Sequence, residues 1–326
     1  MSDNFDLVKI MADGRFHSGE ELGAKLGVSR AAVWKKLQLV KDRYLLGIDA
    51  VKGKGYRLSE SLDLLDREKI IERLQQSNPG TLPSLNIHTT IDSTNSWLMQ
   101  QAALGIESGS VCLAEQQNGG RGRHGRQWVS PFGRNLYFSM LFRFDLAPTQ
   151  VAGLSLASAI GVLRLLRQLN CYQAGLKWPN DILWQGKKLA GLLLEVSGET
   201  SGPSQVVVGV GLNVGMGSLG EEIDQPWSDL REIPEIVACS RSELAASLTI
   251  HLSDIAEQYR AEGLRSFIDE WHASDLFMGK EVVIRSANRA QNGQHLGIDD
   301  SGGILIRIEG EPRCFHAGEV SLRRAG

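Results

Sequence analysis

Apolar residues recur at helical spacing from the start of the chain, where Phe5, Leu7, Val8, Ile10 and Met11 lie in a run that Gly14 ends. The spacing predicts a helix over residues 4–13. Ser18 and Glu21 fit a capping box ahead of Leu22 and Leu26, and Gly27 can close that second helix with a positive φ. Ser29 then caps a third helix with Val33, Leu37 and Val40 as its buried stripe. At about 100° per residue, Ala31, Lys35 and Gln38 point the opposite way, with Trp34 and Lys41 at the flank. Val51 to Leu58 alternates around glycines and predicts a hairpin presenting Lys52 and Lys54. Capped helices about a glycine turn, followed by a basic hairpin, are the parts of a winged helix-turn-helix. The residues it would turn to DNA are Ser29, Arg30, Ala31, Lys35, Gln38, Lys52 and Lys54.

Beyond this head the pattern changes. Residues 61–80 predict a connecting helix and a turn at Asn78-Pro79-Gly80. A short apolar run, Val111 to Ala114, precedes a long period-2 strand marked by Leu136, Phe138, Met140, Phe142 and Phe144. A helix is expected over 149–170, strands near 182–184, 189–196 and 205–212, then helices over 241–261 and 264–272. The last fifty or so residues read as short strands separated by Asn/Gly and Ser/Gly turns, which predicts a small SH3-like β-barrel. The expected architecture is a multidomain α+β chain. It comprises a winged helix-turn-helix (1–62), a connecting segment (63–80), a central mixed-sheet domain (81–274) and an SH3-like C-terminal domain (275–326).

Composition agrees with several cores, since a chain of 326 residues exceeds what one core serves well. The net charge of −3 is uninformative until it is divided: residues 1–60 hold 11 Lys/Arg and 8 Asp/Glu, the remainder 24 and 30. A mildly basic head on an acidic body fits a polyanion partner at the head. Cys112, Cys171, Cys239 and Cys314 are widely spaced and form neither a zinc pattern nor a disulfide framework. No secretory pattern opens the chain and no apolar run reaches the roughly 20 residues of a membrane span, so a cytoplasmic protein without a membrane partner is expected.

The candidate chemistry lies in the body. In Gly119-Gly-Arg-Gly-Arg-His-Gly-Arg126, glycines permit close backbone approach while Arg121, Arg123 and Arg126 offer forked donors to a carboxylate or phosphate. The segment lacks both P-loop and Rossmann spacing. Asp92-Ser-Thr-Asn95 opens a helix, and its polar side chains can cap it or bind a polar ligand. In Lys177-Trp-Pro-Asn-Asp181, Asn180 and Asp181 are either turn formers or ligand and Mg²⁺ contacts. Lys188, ahead of a buried strand, is either a solvated strand end or a partner for an α-phosphate.

Taken together, these segments resemble the biotin–protein ligases, in the form that doubles as a biotin operon repressor. The likeness runs from the winged helix through Asp-Ser-Thr-Asn (92–95), Gly-Arg-Gly-Arg-His-Gly-Arg (120–126), Lys-Trp-Pro-Asn-Asp (177–181), Lys-Leu-Ala-Gly (188–191) and Gly-Val-Gly-Leu-Asn (209–213) to the terminal barrel. It implies a class II synthetase-like central domain that uses ATP and Mg²⁺ to convert biotin into biotinyl-5′-adenylate. The biotinyl group then passes to a lysine of a biotin carboxyl carrier protein. By this resemblance Ser93, Thr94, Asn95 and Gln117 hold the biotin head, while Arg121, Gly122 and Arg123 close over it and Lys188 contacts the reacting groups. Lys177, Asn180, Asp181 and Asn213 would serve the nucleotide beside Arg123, with Asp181 also a Mg²⁺ ligand. Trp227, in the 221–240 loop, would cover the adenine. A homodimer formed with bound adenylate would bind operator DNA. The chain departs from relatives in reading Glu-Gln-Gln-Asn-Gly before the loop, which leaves Gln116 as an alternative to Gln117. Three rival readings are a ligand sensor without catalysis, a ligase for another acid such as lipoate, and a ligase whose head is only a structural appendage.

Overall fold

The computed structural model describes residues 4–77, 83–221, 223–285, 290–318 and 320–324. The turn expected at Asn78-Pro79-Gly80 lies outside them. Three helices form the head: α1 (Asn4–Met11), α2 (Gly19–Leu26) and α3 (Arg30–Tyr44), followed by a hairpin of β1 (Ile48–Val51) and β2 (Gly55–Leu58). The local signals act as their chemistry dictates. Ser18 accepts from the Glu21 amide, Gly27 ends α2 at φ 66°, and Ser29 accepts from the Ala32 amide. The capping box at Ser18 is only half made, because the Glu21 carboxylate turns to His17 and Lys25. Gly55 is obligatory: its φ is 103°, and a Cβ there would sit 2.1 Å from the His17 carbonyl oxygen, where the hairpin pairs with the α1–α2 connection.

After α4 (Arg67–Ser77) come β3 (Leu85–His88), α5 (Thr94–Ala103), β4 (Val111–Ala114), β5 (Leu136–Phe144), α6 (Leu154–Gln168), β6 (Ala174–Lys177), β7 (Asp181–Trp184), β8 (Lys187–Gly198), β9 (Ser204–Leu212), α7 (Arg241–Glu262) and α8 (Ile268–Ser274). The strands form one seven-stranded mixed sheet in the order β3-β4-β5-β9-β8-β7-β6. Only β3 and β4 run parallel; the other neighbours are antiparallel. Helix α5 covers one face through Leu98 and Ala102 against Cys112, Leu141 and Val207. Helices α6 and α7 supply the main core on the other face. Burial on both faces explains why β5, read as a period-2 strand, is buried at almost every position. The helix expected over 149–170 is shorter, because residues 149–153 form turns that deliver Gly153 as the N-cap of α6.

The C-terminal strands β10 (Glu281–Arg285), β11 (Ala290–Ile298), β12 (Ile304–Ile308), β13 (Glu311–Phe315) and β14 (Ser321–Arg324) form a five-stranded antiparallel sheet, in the order β13-β12-β11-β10-β14. Its topology is SH3-like, but the described pairings do not close it into a barrel. Val282, Ile284, Ile304 and Ile306 join the core of the central sheet.

The head is fastened to the body by apolar contacts and by the Glu60–Arg134 ion pair. Phe132, on the loop before β5, is 1% exposed and belongs to the head's own core, 4.4 Å from the Tyr44 ring and 6.2 Å from that of Phe5. Nearby, Arg241 at the start of α7 makes a fully buried 2.6 Å ion pair with Glu115. Arg241 also donates to the Asp63 carbonyl, while Glu115 accepts from the Leu65 amide. Residues 63–65 are thereby held against the sheet.

Candidate active site and nucleic-acid face

Residues 120–128 form a narrow flap. The Trp128 amide donates to the Gly120 carbonyl at 2.9 Å and the Gly122 amide to that of Arg126 at 2.7 Å. His124 (φ 55°) and Gly125 (φ 71°) turn its tip. Beneath the flap, alternate positions of the central strands carry no side chain. Gly191 lies directly opposite Gly211, and Gly209 opposite Leu193. A Cβ on Gly211 would lie 2.4 Å from the Trp128 ring, and one on Gly209 would lie 2.2 Å from Asn95 Oδ1. The glycines therefore let an indole and an amide lie flat on the sheet.

At the flap's base the polar groups are buried and bonded to one another. Ser93 caps α5. Gln117 Oε1 accepts from the Thr94 amide (2.9 Å) and hydroxyl (3.1 Å), while its amide donates to Ser130 at 3.2 Å. Gln116 instead faces the Thr90 hydroxyl at 3.4 Å. Of the two glutamines, Gln117 is therefore the one turned to Thr94. The Asn95 amide donates to the Leu193 carbonyl (3.1 Å) and Glu195 (2.9 Å), and the Ser139 hydroxyl lies 2.6 Å from Asn95 Oδ1.

Charged groups gather about Asp181. The β7–β8 hairpin sets Lys188 Nζ 2.6 Å from its carboxylate and 5.4 Å from the Trp128 ring centroid. Arg123 approaches from the flap; burial pulls its pKa down and the Asp181 charge opposes that pull. Arg123 also borders a cleft of about 420 Å³ between the flap tip, the first turn of α6, Trp178–Asn180 and residues 301–302. Arg121 points elsewhere, to Glu195 and Ser96.

The remaining candidates are spread around this cluster. The Asn180 amide donates to the Leu192 carbonyl and locks the turn ahead of β7. Lys177, at the end of β6, pairs in register with Asp181. Asn213 is buried and donates to the carbonyls of Lys188 (3.3 Å) and Ser228 (3.0 Å). The Lys188 backbone is clamped by Pro226 and Ser228, and this brings Trp227 into a bridge with Lys188. Among the described residues, no three His, Cys, Asp or Glu side chains converge as a metal site.

Sequence reasoning passed over Trp128, Ser139 and Glu195. The alternating glycines 209 and 211 were a signal for the first, since glycine inside a strand marks a close approach. Nothing local marks Ser139 or Glu195, which reach the site only through sheet register.

On the head, Ala31, Lys35, Gln38, Lys52 and Lys54 are exposed, and Trp34 is 55% exposed beside them. Ser29 is committed to capping α3, and Arg30 lies beside Gly19. Lys54 and Arg57 both approach the Phe16 ring, at 5.8 and 4.7 Å from its centroid. An exposed basic helix face next to a basic hairpin suits a phosphate-lined groove.

Comparison with known proteins agrees with this division. Residues 88–213 match the biotin/lipoate A/B protein ligase family, residues 5–57 an HTH domain, and residues 277–323 the biotin protein ligase C-terminal domain. The chain is 39% identical over 322 residues to the bifunctional ligase/repressor BirA of Salmonella typhimurium, covering 98% of this chain and 97% of the relative. Against BirA of Escherichia coli it is 38% identical over 331 residues, covering 100% and 99%. The biotin protein ligase of Aquifex aeolicus in complex with biotin and ATP superposes with a TM-score of 0.65 at 30% identity, over 75% of this chain and 100% of that one. No helix among the described residues is long and apolar enough to cross a membrane.

Proposed function

Since this chain belongs to the biotin protein ligase family, among its bifunctional ligase/repressors, we propose that it activates biotin with ATP, biotinylates a carrier protein and represses transcription. In the first step a biotin carboxylate oxygen attacks the α-phosphorus of ATP, pyrophosphate leaves, and biotinyl-5′-adenylate forms. In the second, a lysine amine of a biotin carboxyl carrier protein attacks the acyl carbon, AMP leaves and the nitrogen loses a proton. The observation that carries this reading is the Lys188–Asp181 pair beside a glycine floor, with Arg123 of the glycine flap lining the adjoining cleft. Two cations converge where a phosphorane would develop negative charge, and the flap keeps water from a labile anhydride.

In this reading Thr94, Asn95 and Gln117 receive the biotin head and Trp128 walls the pocket. Trp227, tied to Lys188, lies towards the adenine, and Asn213 supports the loop that carries it. Magnesium, when bound with ATP, would neutralise phosphate charge, and Asp181, paired here with Lys188, is the carboxylate that would help hold it. Biotinyl-adenylate promotes homodimerisation, and the dimer sets two copies of α3 on related half-sites of an operator. ATP, carrier protein and DNA as partners point to the cytoplasm as the place of action.

The test is to incubate purified protein with ATP, magnesium, biotin and a biotin carboxyl carrier domain. The expected result is one biotinyl group on the carrier lysine, with AMP released. An unmodified carrier after incubation with folded protein would remove the ligase assignment.

A further inference from the structure

The two flap arginines are engaged differently. Arg123 lines the cleft beside Trp178, Pro179 and Asn180, whereas the Arg121 guanidinium is bonded to the protein itself. Its Nη2 donates to Glu195 Oε1 at 3.0 Å and Oε2 at 3.3 Å, and to the Ser96 hydroxyl at 2.7 Å. Glu195 also accepts from the Asn95 amide at 2.9 Å. One carboxylate on the central sheet therefore grips both the flap and the first turn of α5. Among the described residues, Arg121–Glu195 is the ion pair that ties the flap to the sheet.

We propose that Glu195 is a positioning residue that latches the flap shut through Arg121, setting how long the activated acid stays on the enzyme. Arg121 then serves closure, and phosphate charge is left to Arg123 and Lys188. The physical basis is geometry. Gly120 cannot carry a side chain, because a Cβ there would lie 2.5 Å from the Trp128 carbonyl oxygen. The flap's root is thus packed tightly on Trp128, and its outer half is a short hairpin that Arg121 anchors to the sheet through Glu195. Breaking a half-exposed, charge-assisted pair in which one Nη2 serves both carboxylate oxygens should loosen that hinge by about three- to tenfold.

The latch itself rests on the contacts of Arg121 with Glu195 and Ser96; its effect on the activated acid rests on the ligase reading. Two measurements keep these apart. The first is trypsin cleavage at the Arg126–Gln127 bond of ligand-free protein, followed by mass spectrometry. The second is the rate at which protein preloaded with biotinyl-adenylate loses it to solvent. E195Q is nearly isosteric and keeps a carbonyl acceptor for Asn95, so it isolates the ion pair from folding. E195Q should raise both rates about three- to tenfold, and the charge-reversed R121E/E195R variant should return both most of the way to wild type. Wild-type cleavage in E195Q overturns the latch, as does a double reversal no better than its single variants. A rise in adenylate loss without a rise in cleavage also overturns it, since Glu195 would then act through Asn95 alone. Flap cleavage that follows the prediction in a protein forming no adenylate would uphold the latch and reject the ligase reading.

Discussion

The outer face of α3 and the floor beneath the flap are both functional surfaces built from polar residues, yet they are held in opposite ways. The side chains of Lys35 and Gln38 make no hydrogen bond or ion pair among the described residues, and both are exposed. Thr94, Asn95 and Gln117 are bonded on nearly every side to Ser130, Ser139, Glu195 and main-chain groups. The head keeps its contacts available for a partner, so its function can be separated from its stability. The ligase floor builds its contacts into the fold, so function and stability share the same bonds.

The sharpest contrast should appear at the charges. Lys188→Ala or Arg123→Ala should lower adenylation by about 10²–10³, read as biotin-dependent pyrophosphate exchange, because each removes a cation poised at the reacting phosphate. Retained exchange in either variant would take that residue out of the chemistry. Phe132→Ala empties the junction between the two regions and should cost the head about 3–5 kcal/mol, as a large-to-small core change does. Denaturant unfolding should then show the head melting before the body; a single unshifted transition would mean that Phe132 is not part of the head's core.

Within the floor, Asn95→Ala leaves Ser139 and Glu195 short of a partner and should destabilise the body by about 1–3 kcal/mol while also weakening biotin. On the face of α3, Lys35→Ala and Gln38→Ala should keep stability within about 0.5 kcal/mol. Each should weaken DNA by about 1–3 kcal/mol if it reads a base edge. Gel shifts beside melting curves decide both points; a stability loss at Lys35 as large as that at Asn95 would erase the contrast.

The smallest effect is one of pH. Burial of His17 disfavours its charge, but hydrogen bonds to Asp13 and Glu21 win and raise its pKa above 6.5. The stabilisation is thus full below about pH 6.5 and fades as pH rises through the higher folded-state pKa. The head's melting midpoint should fall over that interval in wild type and stay flat in His17→Gln.

The same contrast explains what could be read from the residues alone. The head was legible almost element by element, because Ser18, Gly27 and Ser29 act on neighbours within a few positions. The central strands were legible as elements, the flap motif pointed to Arg121 and Arg123, and the Lys-Leu-Ala-Gly segment pointed to Lys188. The pairing of these groups was not legible. Glu195 meets Arg121 across 74 residues of sequence, and Ser139 meets Asn95 across 44, through sheet register that no local pattern encodes. The helix over 149–170 was overextended for a related reason. Val151 is apolar and fully buried, but it packs from a turn rather than from a helix.

The central claim is that the flap site activates biotin, and ATP–pyrophosphate exchange by the purified protein with magnesium tests it most directly, with lipoate as the control acid. Exchange that requires biotin and is absent with lipoate is the predicted result. Folded protein that exchanges with neither acid, or with lipoate instead of biotin, would contradict it.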